Sequence, residues 1–439
     1  MSSHLSVISH GARRSAAPLL AITLLCGSAM AQTSTKAYAR YAPSACVQEP
    51  RAERQSLRPL GADTLPHDPL GTPLTPSTVA AARVCVAQFT VASIPTYELL
   101  GLGRAYLAAG QPTDAAAAFN RYMETLASRP VRERAWAMYR IVDNYIGIPP
   151  SRLADAEQWM AKLDALDAPP ERMLAHLTIA GRGLIMDSIA LTQRHVDAVI
   201  SNSARLTGDS AKKYVPVTQS AYVTRAQLEM RRDQFDSARA TIKEAKAYVG
   251  RVSPPQVGSF YRIEPQYAIQ GDTAKRIEAT TWHLPAGGTP PAMVPARGTA
   301  QLIVFVSSAC GDGCYAMYAT LRALNAKHPQ FPVILVTRTT GRYRNRLASP
   351  DSEATLVGDY FATVAKLPFP LAIWRTGFGT LADGRKTVQS APNDENYRIG
   401  SLGGVPAYLV DAQGIIRRAG ELNWSTYAMY DHAIQRLLR

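Results

Sequence analysis

A helical array followed by an α/β sandwich is the fold class that this 439-residue sequence predicts. Three observations carry the prediction. From Thr96 to Val249, apolar residues recur at helical period between short Gly- and Pro-containing breaks. Past Thr299 the texture changes to wholly apolar, β-branched runs alternating with helical stretches. The length exceeds one ordinary domain, and 46% hydrophobic with 19% charged residues is a composition that can bury a core.

The first residues stand apart from that plan. Arg13 and Arg14 form a positive segment, Ala16 to Leu25 is apolar but too short to span a bilayer, and Ala29-Met30-Ala31 offers a small-x-small cleavage site. The sequence predicts a signal peptide over 1–31, a mature start near Gln32, and a periplasmic or secreted location. Leu25 before Cys26 does not suit a lipoprotein site. No later stretch has the apolar length of a membrane helix.

Losing Cys26 leaves Cys46, Cys85, Cys310 and Cys314, an even number in an oxidising compartment. Position suggests two pairs, one wide near the N-terminus and one tight near the C-terminus. A Cys46–Cys85 disulfide would tie an irregular Pro-rich arm (32–76) to the first helical stretch, which Ser77 is placed to cap. Two separate buried thiols are the alternative. The net charge of +14 is spread among interspersed Asp and Glu, without a cluster or a reader motif, so no nucleic-acid partner is expected. Such a surface suits anionic envelope surfaces, which leaves a membrane surface open as a partner.

Between the breaks at Gly110-Gln111-Pro112, Arg129-Pro130, Pro149-Pro150, Pro169-Pro170 and Gly208-Asp209, the spacing makes helix pairs. Leu99, Leu102-Gly103, Tyr106, Ala115 and Phe119 resemble a tetratricopeptide repeat, with Gly103 and Ala115 allowing close approach beside Tyr106 and Phe119. Tyr222, Ala226, Ala238, Ile242 and Ala245 make a poorer second match, out of phase with the first. The expectation is a tetratricopeptide-like helical hairpin array over 77–250, with a generic helical bundle as the alternative. Its resemblance implies a protein-binding surface. Pro254-Pro255 marks a linker over 251–277, and the α/β domain is expected over 278–439, with a first strand near Ala279 to Trp282.

The chemistry sits in that last domain. Leu302-Ile303-Val304-Phe305-Val306 reads as a buried strand, followed by Cys310-Gly311-Asp312-Gly313-Cys314 and a helix in which Cys314, Met317, Leu321 and Leu324 share a face. A second strand follows at Val333 to Val336. Cys310 thus opens a helix, where unpaired backbone N–H groups and the macrodipole favour a thiolate. Asp312 reads as a turn or cap residue. Residues 351–367 read as an extra helix before a strand at Leu371 to Trp374. Downstream, Gly404-Val405-Pro406 leads a strand that turns at Asp411 to Gly414 and returns, and the chain ends in a helix carrying Tyr427, Tyr430, Ile434 and Leu437 on one face.

Together these residues resemble the thioredoxin superfamily, and within it the exported TlpA-like thiol–disulfide oxidoreductases, over about the last third of the chain. The resemblance implies a thioredoxin-like α/β sandwich without a cofactor. It further implies that Cys310 is the attacking thiolate and Cys314 the resolver, with Val405 and a cis Pro406 positioning the substrate chain. The partners it implies are protein thiols or disulfides and a redox partner protein. The chain departs from the family in three places. Ala309 stands where Trp usually precedes the pair, the pair is one residue further apart, and the preceding strand holds no acidic residue. Cβ atoms four apart on a regular helix are ~5–6 Å apart, whereas a disulfide wants ~3.5–4.5 Å. Bridging needs an irregular first turn, which Gly311 and Gly313 permit, and residual strain would make the bond more oxidising.

Other readings stay open at this level. A redox-inactive scaffold with a structural Cys310–Cys314 bond is the strongest rival to an oxidoreductase. A Sco-like copper site needs a His shortly before the hairpin, and none lies between His328 and His432. His432 itself reads as a solvated helix residue. A peroxiredoxin reading meets Ile303 where that family has Pro.

Overall fold

The computed structural model describes residues 46, 76–148, 150–284, 288–306, 315–343, 346–374, 378–380, 386–388, 397, 406–423 and 426–439. The segment expected to be a signal peptide, most of the Pro-rich arm, Cys310, Asp312, Cys314 and Val405 lie outside them.

Among the described residues, ten helices build the first half: α1 (Pro76–Val86), α2 (Leu99–Ala108), α3 (Pro112–Thr125), α4 (Val131–Gly147), α5 (Leu153–Asp164), α6 (Pro169–Ile185), α7 (Ile189–Ser203), α8 (Gly208–Arg231), α9 (Phe235–Val252) and α10 (Phe260–Ile269). They pack chiefly as sequential neighbours, α2 on α3, α4 on α5, α6 on α7 and α8 on α9. Pro112 and Pro169 stand in the first turns of α3 and α6, where a missing N–H costs nothing. Gly103 shows why a small residue is required in α2. A Cβ there would come within 2.2 Å of the Phe119 ring, which is fully buried against it. Tyr222, Ala226, Ala238, Ile242 and Ala245 are likewise buried together.

Two expectations are corrected here. Ser77 does not cap α1, because the helix already includes Pro76 and Ser77 lies inside its first turn. Residues 251–277 are not merely a linker. After the end of α9 they form a 3-10 turn over Pro254–Ser259 and then α10, whose Phe260 and Tyr267 join the core of α8 and α9. Pro254-Pro255 opens a helical turn rather than an irregular stretch.

Cys46 and Cys85 are disulfide-bonded across 39 residues, with Cα atoms 5.6 Å apart, and both pack on the core of the first helices. Closing a loop of that length is worth about 3–4 kcal/mol. Cys85→Ser is therefore expected to lower the urea midpoint of the oxidised protein to that of reduced wild type. Equal midpoints for oxidised and reduced wild type would remove the staple.

The second half is a six-stranded mixed sheet of order β1-β6-β3-β2-β9-β10. Its strands are β1 (Thr281–His283), β2 (Gln301–Phe305), β3 (Val333–Arg338), β6 (Leu371–Trp374), β9 (Pro406–Val410) and β10 (Ile416–Glu421); the short pairs β4–β5 (Arg342–Tyr343, Arg346–Leu347) and β7–β8 (Phe378–Thr380, Lys386–Val388) stand apart. β2, β3 and β6 run parallel, while β1, β9 and β10 join antiparallel. Helices α11 (Tyr315–Lys327), α12 (Pro350–Asp359, continued by a π-helical turn over Tyr360–Val364) and α13 (Tyr427–Leu437) complete it.

Alternation along the strands divides the core. Leu302, Val304, Leu335, Leu371 and Leu409 face α11, α12 and α13. Ile303, Phe305, Val336, Trp374 and Tyr408 face the other way, against Ile269, Ile277, Val294 and Tyr397. All three described helices of this half thus cover one face, and Ile269, Ile277, Val294 and Tyr397 pack on the other. At the hairpin, Asp411 accepts from the backbone N–H of Gln413 and Ile415, and Gly414 takes φ +82°.

The halves are joined by charged contacts. Arg231, at the end of α8, pairs with Asp187 and donates to the Leu184 carbonyl at 2.9 Å. Its own carbonyl accepts from Arg436 of α13 at 2.6 Å, and Arg417 of β10 reaches Asp233 at 2.9 Å. Burial lowers the Arg231 pKa to about 10, against the pull of Asp187, so the group stays charged at neutral pH. His432 is not simply solvated: it is half-buried and its Nε2 donates to the Ile185 carbonyl at 3.3 Å. Among the described residues no helix is long and apolar enough to cross a membrane.

Candidate functional site

The segment bearing Cys310 and Cys314 lies outside the described residues, but both of its anchors are inside them. Val306, at the exit of β2, precedes Cys310 by four residues, and Cys314 directly precedes Tyr315, the first residue of α11. β2 occupies an inner position, paired with β3 on one side and β9 on the other. The last β2–β9 pair is Val304 with Ala407, and the same register carried one step sets Phe305 beside Pro406. The exit towards the cysteines and the start of the Pro-led strand are therefore neighbours on one rim of the sheet. That rim is the C-terminal end of the parallel strands, the usual place for ligands and chemistry in α/β sheets.

The supports of this rim are largely apolar and fixed. Phe305 packs edge-on to Trp374 and Tyr408 and tilted to Tyr397, and Val306 is buried. Pro406 opens β9 and is buried. The Tyr430 hydroxyl of α13 donates to the Ala407 carbonyl at 3.0 Å and lies 3.2 Å from that of Gly420, clamping the β9–β10 ladder next to Pro406. Burial raises the Tyr430 pKa to about 12, so it remains a neutral donor. The sequence placed Tyr430 on a buried face but gave no sign of this clamp.

Glu353 of α12 is buried and accepts from the Thr340 N–H and hydroxyl and from the Gly341 N–H, at 2.7–2.9 Å, just past the end of β3. It orders that loop and has no free acceptor edge of obvious catalytic use. Among the described residues there is no cluster of three or more His, Cys, Asp or Glu side chains suited to a metal.

Two hollows among the described residues lie away from this rim. One of about 630 Å³ lies between α9 and α10, lined by Ile242, Lys243, Lys246 and Tyr267. Another of about 400 Å³, beside His283, Phe361 and Leu371, is at the N-terminal end of β6, the opposite end of the sheet from Val306.

No family model and no curated protein matches the chain. Among solved structures it is similar to a thioredoxin-like superfamily protein, at 16% identity and a TM-score of 0.27, over 38% of this chain and 96% of that one. It is also similar to a protein from Chlorobium tepidum described as a thiol:disulfide interchange protein, DsbE, at 17% identity and a TM-score of 0.25, over 39% of this chain and 98% of that one. Overlaps this loose leave the reading of the site to the chain's own geometry.

Proposed function

We propose that the protein is an exported thiol–disulfide exchange protein whose α/β domain is thioredoxin-like and whose reactive pair is Cys310 and Cys314. The observation that carries this reading is the shared rim. A buried inner strand runs towards the cysteines, a helix begins directly after them, and Pro406 starts the neighbouring strand beside that exit. A thiolate at the head of α11 gains from the unpaired N–H groups and the positive helix end. Val405 and Pro406 serve to position a substrate chain across the pair. The helical half, read as tetratricopeptide-like, presents a partner protein, and Cys46–Cys85 fastens the Pro-rich arm to it.

The exchange consumes one substrate disulfide per turnover when the pair begins reduced. The Cys310 thiolate attacks one substrate sulfur, forming a mixed disulfide and releasing the other sulfur as a thiolate. The Cys314 thiolate then attacks the Cys310 sulfur and releases the second substrate thiolate. The protein pair ends as a disulfide, two electrons having passed to substrate; a disulfide-bonded pair runs the same steps in reverse. A glutathione-buffered titration of the mature protein, with thiolate absorbance followed against pH, tests this. A reversible two-electron step, more oxidising than thioredoxin's about −270 mV, and a Cys310 pKa below the free value of about 8.5 are expected. A bond that resists reduction, or thiols of ordinary pKa, would make this a scaffold that keeps the fold without the chemistry.

A further inference from the structure

Two histidines meet inside the helical half. His176 on α6 and His195 on α7 are 6% and 2% exposed, and their Nδ1 atoms are 2.8 Å apart. Each Nε2 faces a carboxylate of α5, His176 towards Asp164 at 3.2 Å and His195 towards Glu157 at 2.6 Å. Beyond them Arg172 donates to Asp164 at 3.0 Å and Arg194 to Glu157 at 2.8 Å. One continuous line of six polar side chains ties three helices together.

The hydrogens on that line can be counted. A carboxylate paired with an arginine is an acceptor, so both Nε2 atoms carry hydrogen. Two neutral rings would then bring two bare Nδ1 lone pairs to 2.8 Å with no donor between them. A hydrogen bond there requires one further proton, giving three N–H groups on two rings and a single positive charge between two carboxylates. A metal ion does not answer this arrangement. Structural sites gather about four ligands around a point, whereas these atoms pair off along a line.

The geometry points to a proton-bridged histidine pair that latches α5, α6 and α7 together within a limited pH range. On the acid side, a second imidazolium would remove the remaining Nδ1 acceptor. Burial holds the His195 pKa below the ordinary imidazole value, against the opposing pull of Glu157, with His176 and Arg194 adding to the lowering. For a base whose folded pKa is depressed, stability is present above the unfolded pKa, about 6.5, and is lost as pH falls through the folded value. On the alkaline side, loss of the bridging proton would leave two bare Nδ1 lone pairs facing each other. Stability is therefore lost as pH rises through that step. Burial alone would raise Asp164, yet His176 and Arg172 hold it below its usual range, so it stays an acceptor throughout. The charges acting on His195 and Asp164 come from α5, α6 and α7, and none from α4 or α8, which also pack on α6. The latch sits in the helix whose last carbonyls, Leu184 and Ile185, receive Arg231 and His432.

The test is nitrogen-15 spectroscopy of histidine-labelled mature protein between pH 5 and 9, with urea unfolding at each pH. Near neutrality, three of the four ring nitrogens of the pair should be protonated. The folded-to-unfolded ratio should peak there and fall on both flanks, by up to about tenfold per pH unit for the one proton concerned. His195→Asn places an amide where Nδ1 stood and does not titrate, so both flanks should flatten. Only two protonated nitrogens at every pH, or equal pH slopes in wild type and variant, would overturn the latch. If the variant does not fold, the proton count in wild type decides alone.

Discussion

Cys310→Ser is expected to abolish disulfide exchange, with a loss of at least about a thousandfold, because the attacking sulfur is the one group the reaction cannot replace. Cys314→Ser should behave differently. The first attack still occurs, but the mixed disulfide has no resolving thiolate and accumulates as a covalent adduct on a non-reducing gel. The two variants together separate nucleophile from resolver. An adduct formed by Cys310→Ser and not by Cys314→Ser would exchange the roles, and wild-type exchange by Cys310→Ser would end the proposal. Urea midpoints of both variants, compared with wild type, keep a folding defect apart from a chemical one.

Arg231→Ala is expected to cost about 3–5 kcal/mol, the range for removing one partner of a buried ion pair. The side chain is 4% exposed and serves both Asp187 and the Leu184 carbonyl, which lose the guanidinium together. Asp187 is 35% exposed and can recover water, which puts the expectation at the lower end of that range. Arg231→Met separates charge from bulk: it fills the stem's volume, so a loss as large as that of alanine assigns the effect to unpaired polar groups. Urea unfolding gives the magnitude, and faster proteolysis at the turn between α6 and α7 would locate it at the Arg231–Asp187 contact. A loss below about 1 kcal/mol would mean that the contact carries no more than a surface pair.

These residues also show what the sequence could and could not disclose. The strands at 302–306, 333–336 and 371–374, and the hairpin at Asp411 to Gly414, were legible because buried parallel strands are continuous apolar runs bounded by turn residues. The helix breaks with Gly or Pro were legible for the same reason. Those between α6 and α7, and between α8 and α9, were not. They turn on Asp187 and Asp233, at φ +55° and +58°, where an ordinary residue takes a left-handed conformation that glycine usually marks. Each Asp is held there by an arginine far along the chain, Arg231 and Arg417, and no local pattern encodes such a pair. The His176–His195 contact was hidden likewise, since two histidines 19 residues apart become neighbours only when α6 folds back on α7. Pro254-Pro255 misled in the other direction, as a break signal that begins a turn of helix.

The stretch that follows α10 bears on how the chain is born. The Gly271 N–H donates to the Ile416 carbonyl, the Ile416 N–H to that of Asp272, and the Ala274 N–H to that of Gly414, so residues 271–274 pair along the start of the outermost strand, β10. An unpaired strand edge invites partners from other chains. Here part of its cover is made nearly 150 residues before the strand itself, at the trailing end of the helical half. Synthesis from the N-terminus therefore sets the guard before the edge it protects exists. A fragment begun at residue 278 would lack both that guard and Ile269 and Ile277 from its second core face. Such a fragment would be prone to self-association for reasons unrelated to its cysteines.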